Sequence, residues 1–427
     1  MSEHGFHVAI IGGGIGGLCL AQGLKKAGIS VAVYERDESV SARLQGFRIH
    51  IDPQGSTALH QCLPERLWKI FDTTGGDFGQ GFALVTEQLQ ELMSVRTAPG
   101  TSDPIARHRS ISRITLRRVL LAGLEDIVHF GKRFERYEET PDGRITAHFE
   151  DGSSTSADVL VGADGVNSPV RKQYLPDADP VYTGVLALAT RVPLSDGVMA
   201  LAPNRLLDGP LIAIPPEPCS LFMAIWKRSV DAAAPALREL GIDQPLAGDE
   251  SYLILGLGGR EEYFGLGENA TELPGRVLKD VLRRVMTNWH PNLRKLAEMA
   301  DESEMSVTRI RTSRPVRPWK TTRITLLGDA IHSMTPYRGI GANIALKDAA
   351  LLCTKLIEAH HGAQPLLPTI AEYEESMRDY GFAAVEASRK SMVQSISERK
   401  NPGFRVAKAA MRMANRVPAL KRKLMPA

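Results

Sequence analysis

The clearest indication of the fold lies near the start of the chain, in HVAIIGGGIGGLCLAQGLKKAGISVAVYERD, residues 7–37. Its apolar run 8–11 predicts a buried strand, and a second apolar run, 30–34, predicts another. Between them lie closely spaced glycines and then a helix-like segment with Ala21 and Leu24 on its packing face. A strand, a glycine-rich turn, a helix and a second strand in this order predict a Rossmann-like unit built on a parallel sheet.

The glycines of this turn follow the spacing G-x-G-x-x-G, and each has a physical task. Gly12 allows the tight turn, Gly14 lets a pyrophosphate approach the backbone, and Gly17 lets the helix pack closely on the strand. The N-terminus of the helix adds partial positive charge. Glu35 follows the second strand, where a carboxylate can accept hydrogen bonds from a ribose. The pattern predicts a dinucleotide site; the alternative is a relic of the fold that no longer binds one.

The overall composition sets only broad limits. The chain has 427 residues, 43% hydrophobic and 24% charged, which is enough for two interlocked domains. Its four cysteines lack C-x-x-C spacing, which predicts a reduced, cytoplasmic protein without a zinc site. The uncharged run 8–24 is too short and too glycine-rich for a membrane span, and we recognise no signal peptide. The net charge of +3 gives no indication of nucleic-acid binding.

Two later stretches indicate which dinucleotide is bound. The first, ADVLVGADGVNSPVR at 157–171, has a buried strand that ends in an Asp-Gly pair at Asp164. In the second, the strand 324–327 runs into a Gly-Asp pair at Asp329. The order G-x-G-x-x-G, Asp-Gly, Gly-Asp resembles the FAD-dependent class A flavoprotein monooxygenases of the para-hydroxybenzoate hydroxylase type, over about residues 6–390. The resemblance implies a Rossmann-like FAD-binding domain, an inserted antiparallel substrate sheet and a helical C-terminus.

The resemblance also implies where FAD is held. For the ADP half of FAD, the expected contacts are Gly12, Gly14, Ile15, Gly16, Gly17, Glu35 and Arg36. Arg43 is expected near the isoalloxazine ring, Arg113 at the phosphate and ribitol region, Asp164 at the cofactor and the nicotinamide, and Asp329 at the ribityl chain. The contacts expected around the flavin ring are Pro336, Gly339, Gly341, Ala342 and Asn343. In the last group, a glycine-rich helix start would point free amides at the pyrimidine end of the ring. A helix N-terminus stabilises the negative charge that reduced flavin carries there.

Two insertions lie between these motifs and are expected to hold the substrate. They divide the chain into an FAD-binding domain of 1–67, 111–174 and 311–400, a substrate-binding domain of 68–110 and 175–310, and a basic C-terminal helix or tail, 401–427. In the second insertion, apolar patterns predict strands over 184–192, 205–214, 220–227 and 251–257, and a helix over 275–288. The resemblance implies that these strands form an antiparallel sheet that covers the flavin and walls an apolar pocket.

The chemistry that the resemblance implies needs few side chains, because the flavin supplies it. NADPH or NADH reduces FAD, O2 adds to form a flavin hydroperoxide, and one oxygen atom passes to a substrate by hydroxylation or epoxidation. The apolar sheet favours a largely apolar aromatic or isoprenoid-type substrate. A base that deprotonates a phenol could assist, and His50 is the candidate for it, while Tyr337 and Arg338 are candidates for contact with the substrate. For each, a plain structural role is the alternative, as it is for His108 and His332.

The tail 401–427 carries seven lysine and arginine residues and no acid. Arg405, Lys408, Arg412 and Arg416 fall on one face of a predicted amphipathic helix. Such a helix either packs on the FAD-binding domain or makes weak contact with an anionic membrane surface. The oligomeric state, monomer or homodimer, stays open.

Two other functions compete with the monooxygenase interpretation. A flavin-dependent reductase or dehydrogenase of isoprenoid double bonds would use the same cofactor without O2. A non-catalytic flavin-binding accessory protein is the other alternative, although the intact Gly-Asp turn argues against it. The W-x-W-x-I-P signature of flavin-dependent halogenases is not found in the sequence, and neither are the paired cysteines of disulfide reductases.

Overall fold

The computed structural model describes residues 5–39, 47–77, 79, 81–96, 103–227, 235, 237–241, 250–398 and 402–416. Arg43, which the resemblance placed beside the flavin ring, lies outside these residues.

The strands of this part of the chain are numbered in chain order. They are β1 His7–Ile11, β2 Ser30–Tyr34, β3 Arg48–Ile51, β4 Gly76–Asp77, β5 Gly81–Val85, β6 Glu91–Arg96, β7 Arg109–Ser112, β8 Val128–His129, β9 Phe134–Glu139, β10 Ile145–Phe149, β11 Ser154–Ala157, β12 Val159–Gly162, β13 Val181–Pro193, β14 Leu211–Ala213, β15 Cys219–Trp226, β16 Tyr252–Arg260, β17 Ser306–Thr312 and β18 Ile324–Leu326.

The α-helices are numbered in the same way. They are α1 Ile15–Lys26, α2 Pro53–Cys62, α3 Glu65–Thr74, α4 Arg113–Leu121, α5 Pro169–Tyr174, α6 Asp196–Leu201, α7 Glu261–Phe264, α8 Gly275–Val285, α9 Pro291–Glu298, α10 Asp329–His332, α11 Gly341–His360, α12 Leu366–Ser395 and α13 Pro402–Arg416.

A parallel sheet of order β18-β12-β1-β2-β8 forms the first layer. The central strand β1 pairs with β2 on one side and with β12 on the other, in the register Val8 to Val31 and Val8 to Val159. The apolar side chains of β1 and β12 are buried, as expected of parallel strands that are covered on both faces. The predicted Rossmann-like unit is confirmed, with its two strands and its helix in the predicted order.

A mixed sheet of order β17-β13-β16-β15-β14-β5-β6 forms the second layer. Its pairs are antiparallel except for β5 with β14. The strand predicted over 205–214 is wrong in its first half, where Asn204–Leu207 forms a 3-10 turn. The reason is local: Gly209 has φ +146°, and Pro210 follows it, so β14 begins only at Leu211. The helix predicted over 275–288 is present and ends at Val285.

Two hydrophobic cores correspond to the two layers. One surrounds the parallel sheet together with α1, α11 and α12, and the other lies between the mixed sheet and α8 and α9. Trp68, Ile70 and Phe71 of α3 pack in the first core, although the boundary drawn after residue 67 assigned them to the substrate side. The division into domains remains our proposal.

The C-terminal helix α13 packs against the edge strand β6 of the mixed sheet, not on the FAD-binding side as one alternative held. Asn415 Oδ1 accepts hydrogen bonds from the Ser94 N–H (3.1 Å) and hydroxyl (3.3 Å). Lys408 lies 3.6 Å from the carboxylate of Glu87, and Ala414 is fully buried. The helix therefore covers an edge strand that would otherwise expose unpaired backbone groups. Among the described residues, no helix combines the length and apolar character needed to cross a bilayer.

Candidate functional site

The turn between β1 and α1 is built so closely that two of its glycines cannot be replaced without moving backbone. Gly12 has φ +111°, and a Cβ there would lie 2.4 Å from the Ala163 carbonyl oxygen. A Cβ at Gly17 would lie 2.2 Å from the Gly12 carbonyl oxygen. At Gly14, by contrast, the nearest atom to such a Cβ is 4.0 Å away. Gly12 and Gly17 make the turn compact, and Gly14 keeps open the space in front of the helix.

The neighbouring predicted positions have different surroundings. Gly16 packs against another element rather than facing this space, because a Cβ there would lie 2.7 Å from Leu327 and 3.3 Å from the Ala345 carbonyl. Ile15 is half-buried at the first position of α1, and Arg36 is exposed after β2. The structure thus assigns Gly16 a packing role.

Glu35 is buried and holds the turn in place. Its Oε2 accepts a hydrogen bond from the Gly13 N–H (2.8 Å), and its Oε1 accepts one from the Asp37 N–H (3.0 Å). The Arg117 guanidinium lies 3.9 Å from the same carboxylate. The side chain is therefore fixed at the edge of the sheet where the predicted ribose contact would be made.

The Asp-Gly and Gly-Asp motifs lie beside the turn because their strands are neighbours of β1. Asp164 follows β12 and Asp329 follows β18, and all three strands run parallel. Since the carboxyl ends of parallel strands share one edge, Gly12, Asp164 and Asp329 meet at the same edge of the sheet. This is the position at which ligands bind in open parallel α/β sheets.

The surroundings of the two carboxylates indicate a cleft at this edge. Asp164 Oδ1 is buried and has no hydrogen-bond partner among the residues that the structure describes, while its Oδ2 accepts from the Val170 N–H (3.3 Å). Burial raises the pKa of Asp164 to about 6. The Asp329 side chain is exposed to solvent although protein surrounds it, as expected on the wall of a cleft. Burial raises the pKa of Asp329, and the positive charges of His332 and Arg113 oppose that rise.

A buried polar network supports the Gly-Asp turn from below. Asp348 accepts hydrogen bonds from the Gly328 N–H (2.7 Å) and the Tyr380 hydroxyl (2.6 Å), and it pairs with His332 Nε2 (2.6 Å). Burial alone would lower the pKa of His332, but the Asp348 carboxylate raises it above its ordinary value. His332 therefore braces the turn, the structural alternative considered for it.

Sequence reasoning missed this network. Asp348 lies on α11, the helix after the Gly-Asp turn, and its side chain is fully buried. A signal was present, because Ile344, Asp348 and Leu352 lie four residues apart on the apolar side of one helix. A carboxylate on that side needs buried donors, and the sequence could not show which ones.

Helix α11 begins beside the cleft, after the 3-10 turn Pro336–Arg338 and Gly339, which has φ +65°. Its first intrahelical hydrogen bond is donated by the Ile344 N–H to the Ile340 carbonyl. The amides of Gly341, Ala342 and Asn343 precede this bond, as expected for the first turn of a helix. The helix N-terminus is therefore available to a negatively charged group, as the resemblance implies.

The side chain of Asn343 has another partner than the flavin. Its Oδ1 accepts from the Asp52 N–H (3.0 Å) and its Nδ2 donates to the His50 carbonyl (2.9 Å). The side chain thus ties α11 to β3 and the start of α2. Only the backbone N–H of Asn343 remains a candidate cofactor contact.

The structure brings together two histidines that the sequence did not pair. His50 Nε2 and His108 Nδ1 lie 2.8 Å apart, and their rings stack with centroids 5.1 Å apart. Burial, together with His108 and Arg48, lowers the pKa of His50 to about 3. His50 is therefore neutral near pH 7 and half-buried, while His108 is exposed.

Tyr337 and Arg338 lie in the 3-10 turn but reach different surroundings. Arg338 is exposed. The Tyr337 side chain crosses to the mixed sheet, where its hydroxyl would lie 2.2 Å from a Cβ at Gly258. The turn beside α11 thus contacts the sheet expected to wall the substrate pocket.

Two family models match the chain. The model described as an FAD binding domain matches residues 265–388, and the one described as an NAD(P)-binding Rossmann-like domain matches residues 10–74. Both matches include motifs that meet at the cleft.

Individual proteins similar to the chain extend this result. A crystal structure described as an FAD-containing monooxygenase of Photorhabdus luminescens subsp. laumondii TTO1 is 35% identical, with a TM-score of 0.81 over 93% of this chain and 100% of that one. The 6-hydroxynicotinate 3-monooxygenase of Bordetella bronchiseptica is 28% identical over 91% of this chain and 90% of its own length. The dual O-methyltransferase/FAD-dependent monooxygenase CTB3 of Cercospora beticola is 32% identical over 87% of this chain, which spans 44% of that larger protein.

Proposed function

Because the chain belongs to the FAD-dependent class A flavoprotein monooxygenases, we propose that it uses NAD(P)H and O2 to insert one oxygen atom into a largely apolar aromatic or isoprenoid-type compound. The observation that carries the proposal is the meeting of Gly14, Asp164, Asp329 and the start of α11 at one cleft, with the mixed sheet opposite. The name of the Bordetella relative, a hydroxylase of a heteroaromatic ring, supports an aromatic substrate.

The residues of the cleft fit FAD. The space kept open by Gly14 would accept the pyrophosphate, and Glu35 would accept the ribose hydroxyls after exchanging its hydrogen bond with Gly13. Asp329 would hold the ribityl chain, and the amides of Gly341 and Ala342 would face the flavin ring. The unpartnered Asp164 Oδ1 is a buried acceptor that a cofactor hydroxyl or an ordered water would satisfy. When bound, FAD supplies the hydride acceptance and the activation of O2.

The protein's own groups would exclude water and orient the substrate. The contact of Tyr337 with Gly258 closes the cleft between the α11 turn and the sheet. The pKa of about 3 makes the neutral His50 a weak base, so it would not remove a proton from a substrate hydroxyl near pH 7 but would be able to hold that hydroxyl by a hydrogen bond. The exposed His108, within hydrogen-bond distance of His50, would fix the orientation of its ring.

The experiment that tests the proposal uses the purified protein in air. Its flavin spectrum is recorded, and NADPH and NADH oxidation and O2 uptake are followed with phenolic, quinoid and terpenoid compounds. We expect bound FAD, compound-stimulated consumption of both co-substrates, and a product that gains one atom of 18O from 18O2. Bound FAD that turns over without O2 would contradict the proposal and favour the reductase alternative. A chain that binds FAD without any turnover would favour the accessory-protein alternative.

We also propose a weak contact between α13 and an anionic membrane surface. Val406 and Met413 are 69% and 61% exposed, on the side of the helix away from β6, and the tail carries seven positive charges. The protein should sediment with phosphatidylcholine vesicles that contain phosphatidylglycerol, and Val406→Glu with Met413→Glu should abolish this. Equal sedimentation of the wild type with neutral vesicles would contradict it. The cytoplasmic location remains a prediction.

A further inference from the structure

The mixed sheet has two unlike faces. Leu253, Leu255 and Leu257 of β16 point to one face and pack in the core with α8 and α9. The alternate residues of β16 point to the other face, where Tyr252 and Ile254 pack with Phe47. Phe47 and Tyr337 come from the FAD-binding side of the molecule, so this second face is the one that borders the cleft.

Strand β16 contains three glycines, and two of them are explained by protein neighbours. A Cβ at Gly258 would collide with the Tyr337 hydroxyl at 2.2 Å, and one at Gly259 would lie 2.8 Å from the Phe264 ring. Among the described residues, the atom nearest to a Cβ at Gly256 would be Phe222 Cβ at 3.7 Å, which is an ordinary contact. A glycine within a strand weakens it, and such a glycine often marks the close approach of a ligand. Gly256 is therefore the glycine of β16 that the described neighbours do not explain.

The residues beside Gly256 keep the same space open. Its cross-strand neighbour on β13 is Ala189, another small residue. Its neighbour on β15 is Phe222, whose side chain flanks the space above Gly256. Phe222 is 37% exposed although it lies on an interior strand of the sheet, where a phenylalanine gains most from full burial. An apolar ligand over Gly256 would cover it.

A polar group, the Tyr337 hydroxyl, lies beside Gly258, which is two residues after Gly256 on the same face of β16. The Tyr337 hydroxyl oxygen is buried beside Gly258, and no hydrogen bond of ordinary geometry joins it to a described residue. The Ser220 side chain lies close enough to oppose the rise in the pKa of Tyr337. Burial raises the pKa of Tyr337, so the phenol stays protonated and can donate. A buried hydroxyl of this kind gains from a ligand oxygen that accepts its hydrogen bond.

Resting on the proposed function, we infer that this face of the sheet is a flat apolar seat for a planar ring system that bears an oxygen substituent. Gly256 and Ala189 form the floor, Phe222 forms a side wall, and the Tyr337 hydroxyl binds the oxygen. Because the two floor residues are both small and lie side by side on neighbouring strands, the floor leaves room for fused rings, which would cover more apolar surface than a single ring. Gly256 and Phe222 are then the residues that determine substrate size.

The test measures the binding of phenol, 1-naphthol and 1-hydroxyanthracene by the change they cause in the bound-flavin absorbance. The wild type should bind the fused-ring compounds at least tenfold more tightly than phenol. Gly256→Leu should abolish that preference while it retains FAD, and Phe222→Ala should shift it towards the three-ring compound. Tyr337→Phe should bind 1-naphthol about tenfold more weakly but bind naphthalene unchanged. Gly197→Leu, at an exposed position of α6 with room for a side chain, is the matched control and should match the wild type.

The outcomes separate this inference from the proposed function. If the compounds are oxygenated but Gly256→Leu keeps the wild-type preference, the seat is wrong and the monooxygenase assignment stands. If the preference shifts as expected but no compound gains oxygen, the seat is correct and the assignment fails. If the wild type binds none of the three at millimolar concentration, the inferred substrate class is wrong. Thermal unfolding of each variant establishes that a lost preference does not reflect a misfolded chain.

Discussion

The two walls of the cleft are built by opposite means. On the cofactor side, backbone groups form the surface of the cleft, namely the turn at Gly12 and Gly14 and the amides at the start of α11. Buried polar networks around Glu35 and Asp348 hold that backbone in place. On the substrate side, the alternate side chains of long strands form the surface, and a small residue such as Gly256 defines the space. The difference suggests that changes on the first side affect flavin retention, whereas changes on the second leave flavin retention unchanged and affect the choice of compound or the local stability of the sheet.

The largest effect is expected at Gly17. Gly17→Val places side-chain atoms where a Cβ alone would lie 2.2 Å from the Gly12 carbonyl, so the turn must open. We expect complete loss of bound FAD, measured by the absorbance of the purified protein. Gly5→Ala, with no atom within 4 Å of the added carbon, is the control and should retain FAD fully. Normal FAD in Gly17→Val would show that the turn does not form the cofactor wall.

The next largest effect is expected when the Asp348 carboxylate, which holds the Gly-Asp turn, is removed. Asp348→Ala leaves the buried His332, Tyr380 and Gly328 donors without their acceptor, which we expect to lower the free energy of unfolding by about 3–5 kcal/mol. Chemical denaturation measures this. A loss below about 1 kcal/mol would mean that the network does not support the turn.

The same network predicts a pH dependence. His332 has a pKa above its ordinary value in the fold because of Asp348, so its contribution to stability is complete below about pH 6.5. That contribution is lost as the pH rises through the raised pKa. Asp348→Asn should therefore show less loss of stability between pH 6.5 and 9 than the wild type, by denaturation at each pH. If stability fell equally with pH in the wild type and in Asp348→Asn, the Asp348 carboxylate would not be the cause of the raised His332 pKa.

A smaller pH-dependent effect is expected at Asp164, where ionisation lowers the stability of the fold instead of raising it. Its folded pKa of about 6 lies above the ordinary 3.8, so ionisation is unfavourable in the fold. The cost is absent below about pH 4 and complete above about pH 6. Without cofactor, Asp164→Asn should therefore be more stable than the wild type at pH 8, by on the order of 1 kcal/mol, and should lose this advantage at pH 4. If Asp164→Asn were more stable than the wild type by the same amount at pH 4 and pH 8, the raised pKa of Asp164 would be wrong.

The smallest effect is expected on the substrate side, at the edge of the mixed sheet. Asn415→Ala removes hydrogen bonds to Ser94 and Glu91, which should cost about 1 kcal/mol because the site is partly open to water. FAD content should stay unchanged, since these partners lie on the mixed sheet. A loss of flavin would show that the two walls are coupled through α13.

The sequence predicts the Rossmann-like unit because its turn and strand ends require particular residue types at fixed spacing. Glycines, strand-end acids and a helix start are recognisable as local patterns, and they led to the correct fold class. The pairing of His50 with His108 and the contact of α13 with β6 depend on distant segments that no local pattern connects. The motif predicts a backbone contact of Asn343 with the flavin, but it does not show that the Asn343 side chain forms hydrogen bonds with β3 and the start of α2.

The substrate wall could not be predicted because β-strand alternation shows which residues share a face but not which face borders the cleft. Gly256 stands in a strand with two other glycines, and only the atoms around each one separate the packing glycines from the open position. The 3-10 turn at 204–207 shows the same limit, since an apolar run alone does not define a strand.

The most direct test of the separation between the two walls is the FAD content per chain of two variants purified side by side. Asp329→Ala changes the cofactor wall, and Gly256→Leu changes the substrate wall. We expect loss of flavin in Asp329→Ala and a wild-type flavin content in Gly256→Leu. Full flavin retention in Asp329→Ala, or loss of flavin in Gly256→Leu, would contradict it.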